Sequence, residues 1–141
     1  MEKSFWLIIG SATSLFALSL FLPALLFKSH DPLSGAHVLT WGWLGVLTLD
    51  IAWFANPAFV FASYAFLQRN FGRARIFAGG SLLLGALSFF AKEWWFNEGS
   101  GTPITGLGAA FYIWLMSFAV LFAGSWAMLR PNAVFDADAS R

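Results

Sequence analysis

Ile104–Leu129 is a run of 26 residues without a charged side chain, and Phe5–Phe27 is another of 23. The hydrocarbon core of a bilayer is about 30 Å thick, which a helix crosses in roughly 20 residues. Two further runs approach that length. Leu47–Leu67 has 21 residues with one charge, Asp50, near its start. Ile76–Ala91 has 16 uncharged residues, and "KEWW" (Lys92–Trp95) carries it on into the interface. Backbone amides in lipid must be satisfied within the segment, and a helix does this alone. The runs therefore predict spans over 5–27, 47–67, 76–96 and 104–129, in a single transmembrane domain covering 1–129. The expected fold is an all-α membrane protein, with four transmembrane helices in an antiparallel bundle.

Composition supports this class. Charged residues are 11% of the chain, against about 25% in a typical soluble domain, too few to cover a water-exposed globule. A net charge of +1 and the absence of a basic run argue against nucleic acid as a partner. There is no Cys, which excludes a disulfide framework, a thiol nucleophile, a CxxC pair and a lipoprotein anchor.

Between the first two spans, "SHDPLSGAHVLTWGWLG" carries turn signals at Pro32 and Gly35. Its apolar part, Val38–Val46, is too short to cross and is expected as a short interfacial or re-entrant helix before the second span. "RPNAVFDADASR" (130–141) is a polar cytoplasmic tail expected to be disordered. The first apolar run exceeds a signal-peptide core of about 7–15 residues and no A-x-A site follows it, so it is expected to be retained as a span.

Orientation follows from the basic residues. With both termini and the Gln68–Arg75 loop cytoplasmic, that side holds Lys3, Arg69, Arg73, Arg75, Arg130 and Arg141. The other side holds only Lys28 and Lys92. Trp41, Trp43, Trp94 and Trp95 then cluster at the outer interface, where indoles sit half in headgroup and half in hydrocarbon.

Small residues mark where helices can approach closely in lipid. They are Gly10, Ser14, Ala17 and Ala24 in the first run, Ala78, Ser81, Gly85 and Ser88 in the third, and Ala110, Ser117 and Gly124 in the fourth. All three stripes are expected inside the bundle.

The polar residues of the second run are the candidate site. At 100° per residue, Asp50, Trp53, Asn56, Pro57, Ser63 and Tyr64 fall within an arc of roughly 140°, with Phe54, Phe59 and Phe61 pointing elsewhere. Such an arc should face the interior, since lipid cannot satisfy it. Pro57 lacks an N–H and clashes with the carbonyl of Trp53, so a kink is expected there, with the Asn56 amide, the Ser63 hydroxyl or a water as donor to the freed carbonyl. Asp50 has two plain readings, a marker of the outer interface or the cap of a nearby helix, and two sharper ones, an ion pair or a relay. Counted from the cytoplasmic loop at about 1.5 Å per residue, Asp50 and Lys92 reach similar heights, roughly 28 and 26 Å, which makes Lys92 the expected partner.

Other constellations are weaker. His30, Asp31 and His37 could supply metal ligands, but their spacing fits no specific zinc pattern. No span contains a histidine, so no haem and no other cofactor is expected. "GSGTPITGLG" (Gly99–Gly108) is glycine-rich but lacks the GK[ST] ending of a phosphate loop and reads as an outer turn. HExxH, GxSxG and paired intramembrane carboxylates are absent.

"GWLG…IAWFANPAF", the short basic loop after it and "GAAFYIWLMSFAVLFAG" together resemble a group of small bacterial inner-membrane proteins of unassigned function. The resemblance implies a bacterial inner membrane and a four-helix bundle, and it implies no activity. The expected function is contact without catalytic chemistry, as an accessory subunit, stabiliser or sensor. The expected partners are the lipid bilayer and another membrane protein or a second copy of the chain. The alternative is a small oligomeric transporter or channel that uses Asp50 as its coupling residue.

Overall fold

A proline drives the residue before it out of the α region, so helices tend to stop short of one. In the computed structural model, which describes residues 2–48, 50–96 and 100–138, the first helix, α1, spans Glu2–Ser19, and Pro23–Leu26 is a strand, β1. The uninterrupted helix expected over 5–27 is thus corrected to a helix, a turn and a strand. The chain then forms β2 (Leu33–Ser34) and α2 (Gly35–Trp41), where the Ser34 hydroxyl caps the helix by accepting from the His37 N–H at 3.3 Å. A 3-10 segment, Gly42–Thr48, completes the region expected as a short helix.

The second expected span starts late. A 3-10 turn at Ala52–Phe54 leads into α3 (Ala55–Leu67), while Leu49 lies outside the described residues. Pro57 falls in the first turn of α3, where an N–H has no partner inside the α-helix. The kink expected in a continuous helix is replaced by the junction of 3-10 turn and α-helix. Gln68, Arg69 and Asn70 reverse the chain into α4 (Phe71–Ala86), extended by a 3-10 segment to Phe90. Arg69 has φ 56°, a left-handed conformation that is costly for a residue with a Cβ. Its guanidinium pairs with Glu2 and lies over the Phe5 ring, 4.8 Å from the centroid, so α1 holds this turn in place.

After α4 come β3 (Glu93–Trp95), β4 (Gly101–Pro103) and β5 (Gly106–Leu107), then the long α5 (Ala109–Asp138). The strands form a β2–β1–β5 sheet and a β3–β4 ladder, all antiparallel. The outer turn expected at Gly99–Gly108 therefore holds two strands. The tail expected to be disordered is helical to Asp138, as a continuation of α5. Residues 139–141 lie outside the described residues.

By class the chain is all-α, and two helical segments, Phe71–Phe90 and Ala109–Leu129, are long and apolar enough to cross a membrane. Ala52–Leu67 is apolar but shorter. α1, α3, α4 and α5 share one core, built from Phe5, Ile9 and Ala12, from Ala55, Phe59, Ala62 and Phe66, from Ala74 and Ala78, and from Phe118 and Leu121. Stacked rings fill it, Phe5 on Phe66 at 5.1 Å and Phe16 on Phe59 at 5.0 Å. Those rings fix which side of α1 turns inward. Gly10, Ser14 and Ala17 consequently face outward, which corrects the expected stripe, whereas Ala78, Ser81, Gly85, Ala110, Ser117 and Gly124 are buried.

Large apolar side chains stand exposed along the helices, among them Leu83 at 75%, Ile76 at 69% and Val60 at 61%. Hydroxyls inside the helices bond back to their own turns. Ser81 donates to Phe77 O at 3.0 Å, Ser117 to Trp114 O at 2.6 Å and Ser125 to Leu121 O at 2.7 Å.

Candidate functional site

The polar residues of α3 divide into separate places. Asn56 is buried at the start of the helix and joins three segments of the chain. The Trp114 indole N–H of α5 donates to Asn56 Oδ1 at 2.9 Å, and Asn56 Nδ2 donates to Trp53 O at 2.9 Å. The Trp53 indole N–H in turn donates to Leu39 O of α2 at 2.8 Å. Pro57 explains the middle link. It cannot supply the amide that would normally reach the Trp53 carbonyl, and the Asn56 side chain takes that role. Gly42 leaves room for the Trp53 ring, since a Cβ there would lie 2.9 Å from Cδ1.

Beside this chain lies a cavity of about 80 Å³, lined by Ser19, Val38, Asn56, Ser88, Phe111 and Trp114 among others. It has room for more than one water molecule, and no carboxylate, amine or imidazole lines it. The arrangement can hold helices in register, and it contains no group able to move a proton near neutral pH.

Ser63 is half-buried, and its Oγ is the buried side-chain oxygen without a partner among the described residues. Tyr64 is 63% exposed and points away from the interior, while Phe59 is buried in the core. Both correct the expected arc. The inward face of α3 follows its Ala and Phe residues, because ring stacking there outweighs the placement of one tyrosine, whose hydroxyl can reach the interface from the last turn.

Asp50 lies ahead of the helical turns. Its Oδ1 accepts from the Ala52 N–H at 3.0 Å, fixing the start of the 3-10 turn. Lys92 sits just before β3. The two residues line one open groove of about 440 Å³, together with Ile51, Phe90, Glu93 and Trp95. Among the described residues neither is in an ion pair within 4.0 Å, so the expected Asp50–Lys92 bridge is corrected to two charges facing a shared groove. The 3-10 turn after Asp50 and the break in the helix after Phe90 carry the two residues to the walls of that groove.

His30, Asp31 and His37 are exposed and do not converge. The His30 ring stacks on Phe96 at 4.7 Å, and His37 packs near Trp94. Among the described residues no three His, Asp or Glu side chains gather where they could hold a metal.

Trp114 is the site residue that sequence reasoning missed. The signal was present, because an indole N–H in the middle of an apolar run needs an acceptor, and Asn56 is the amide within an apolar run. The fold and this site define an aromatic-rich helical chain with an apolar core, a buried Trp114–Asn56–Trp53 hydrogen-bond chain and large apolar side chains exposed along its helices. Comparison with known proteins gives no match to a family model, a curated protein or a solved structure.

Proposed function

We propose that this chain is a bacterial inner-membrane protein that crosses the bilayer four times as an antiparallel bundle, and that it acts by contact without catalytic chemistry. The observation that carries this reading is the inverted surface, with Leu83, Ile76 and Val60 outside and hydrogen-bonded serines inside. In water, such a surface would favour aggregation. In lipid it is the expected arrangement.

The helix lengths support the reading. At about 1.5 Å per residue, the 18 residues of α1 reach about 27 Å, close to the hydrocarbon thickness. α3 gains nearly a turn from the 3-10 segment before it. The aromatics support it too. Trp41, Trp43 and Trp95 are exposed at one end of the helices, and Trp6 and Trp126 at the other, as interfacial belts require. Arg75 lies 5.5 Å from the Trp126 ring centre, which keeps its charge at the same level.

Contact is favoured over transport by the state of the polar groups. Asp50 is outside the helix it was expected to serve and is engaged with the Ala52 amide, while Asn56 is tied to Trp114 and Trp53. An accessory subunit, stabiliser or sensor fits this arrangement better than a pore does. Co-purification in mild detergent separates the two, with a stoichiometric partner favouring contact and a homo-oligomer alone favouring transport.

Topology gives an independent check. With both termini cytoplasmic, a reporter active only outside the cytoplasm is expected to work when fused after Ser100 and to stay silent after Arg75. The opposite pattern would overturn the orientation.

A further inference from the structure

We propose that the groove between Asp50 and Lys92 is a binding site for a phospholipid with a zwitterionic, primary-amine headgroup of the phosphatidylethanolamine type. This rests on the membrane reading above.

Opposite charges line this groove without pairing. Lys92 is exposed and in no ion pair among the described residues. Asp50 uses Oδ1 on the Ala52 amide and presents its carboxylate to the same groove. Glu93 adds a second carboxylate. Its side chain folds over Gly101 of β4, where a Cβ would lie 2.0 Å from Oε2, so only a glycine lets it lie there. A cation beside carboxylates offers partners to both halves of a phosphate joined to an ammonium. A bidentate partner of that kind satisfies Lys92 through phosphate oxygens and the carboxylates through N–H donors.

Size and position agree with that occupant. The groove, about 440 Å³, falls in the range of small-molecule sites and is open rather than enclosed. Its walls are Ile51 and Phe90 beside the charges, so apolar and polar surface meet as they do at the junction of acyl chain and headgroup. The exposed indole of Trp95 marks the same level. The groove lies at the end of α3 and α4 away from the Arg69 turn, which puts it in the outer leaflet in the proposed topology. A primary amine is favoured over a quaternary one because carboxylates accept hydrogen bonds, and a trimethylammonium has none to give.

The test uses the full chain in mild detergent, incubated with equal amounts of phosphatidylethanolamine, phosphatidylcholine and phosphatidylglycerol of the same acyl chains. Native mass spectrometry reads the lipid retained. The expected result is about tenfold preferential retention of the ethanolamine lipid, lost in Lys92→Glu and kept in Lys92→Arg. Lys92 is exposed, so neither change threatens the fold, and a thermal melt of each variant checks this. Equal retention of the three lipids, or an unchanged preference in Lys92→Glu, would overturn the site. Displacement of the lipid by equimolar soluble phosphoethanolamine would overturn the lipid assignment in favour of a free headgroup. Release of the wild-type chain from membranes by alkaline wash would instead contradict the membrane reading itself, a separate outcome.

Discussion

Gly35→Ala is expected to destabilise the protein by about 3 kcal/mol, the upper end of what overpacking costs. Gly35 opens α2 directly against the end of α1. Its N–H donates to Leu22 O at 3.0 Å, and the Ala36 N–H donates to Leu20 O at 2.9 Å. A Cβ at this position would lie 2.2 Å from Ser19 O and 3.1 Å from Leu20 Cα. These are backbone atoms, so no side chain can rotate away to relieve the clash. Either α2 separates from α1 or β1 loses its pairing with β2. Gly10→Ala and Gly80→Ala are the matched controls, because a Cβ meets nothing within 4 Å at either place. Both sit inside helices, where alanine is favoured over glycine by roughly 1 kcal/mol, so these variants should melt at or above the wild-type temperature. A Gly35→Ala melting point within about 2 °C of wild type would show that the contact is not rigid.

Asn56→Ala carries the second large effect, an expected loss of about 2 kcal/mol. The substitution removes the acceptor of the Trp114 indole and the side-chain donor to the Trp53 carbonyl together. That carbonyl is then left with the Ala55 N–H alone, because residue 57 is proline and donates nothing to it. Trp114→Phe alone should cost less, since it removes a donor while leaving the Trp53 link in place. The double variant should then fall short of the sum by about 1 kcal/mol, within the range measured for hydrogen bonds between membrane helices. Strict additivity in detergent melts would mean that the indole and the amide do not depend on each other.

What could be read from the sequence was whatever depends on long periodic runs. Ala109–Leu129, the greater part of the run expected over 104–129, lies within α5, while Gly106–Leu107 is strand β5. The small residues Ala78, Ser81 and Gly85 lie on its neighbour's inward side because each sits on a long regular helix. β1 to β5 were not legible. They are two to four residues long, too short for any period, and exist because backbone groups at the helix ends need partners. Pro23 did carry a usable signal, since a proline inside a run, even near its far end, argues against one helix through it. The inward side of α1 depended on two rings of α3, Phe66 and Phe59, and no local pattern encodes that choice. The same holds for the candidate site. Asn56 stood out as a polar residue in an apolar run, but Trp114 becomes its partner only through packing across 58 positions of sequence.

In the proposed membrane arrangement, the outward apolar faces of the helices lie in lipid. The chain has no cysteine, so single cysteines at Val60, Ile76, Leu83 and Met116 can each carry one nitroxide without altering a native thiol. Collision with oxygen, which concentrates in hydrocarbon, and with a water-soluble nickel chelate would be measured at each site after reconstitution into vesicles. High oxygen and low nickel accessibility at all four positions is the result this account predicts. Nickel accessibility at those positions equal to that of a label on the exposed residue Asp31 would place the faces in water and contradict it.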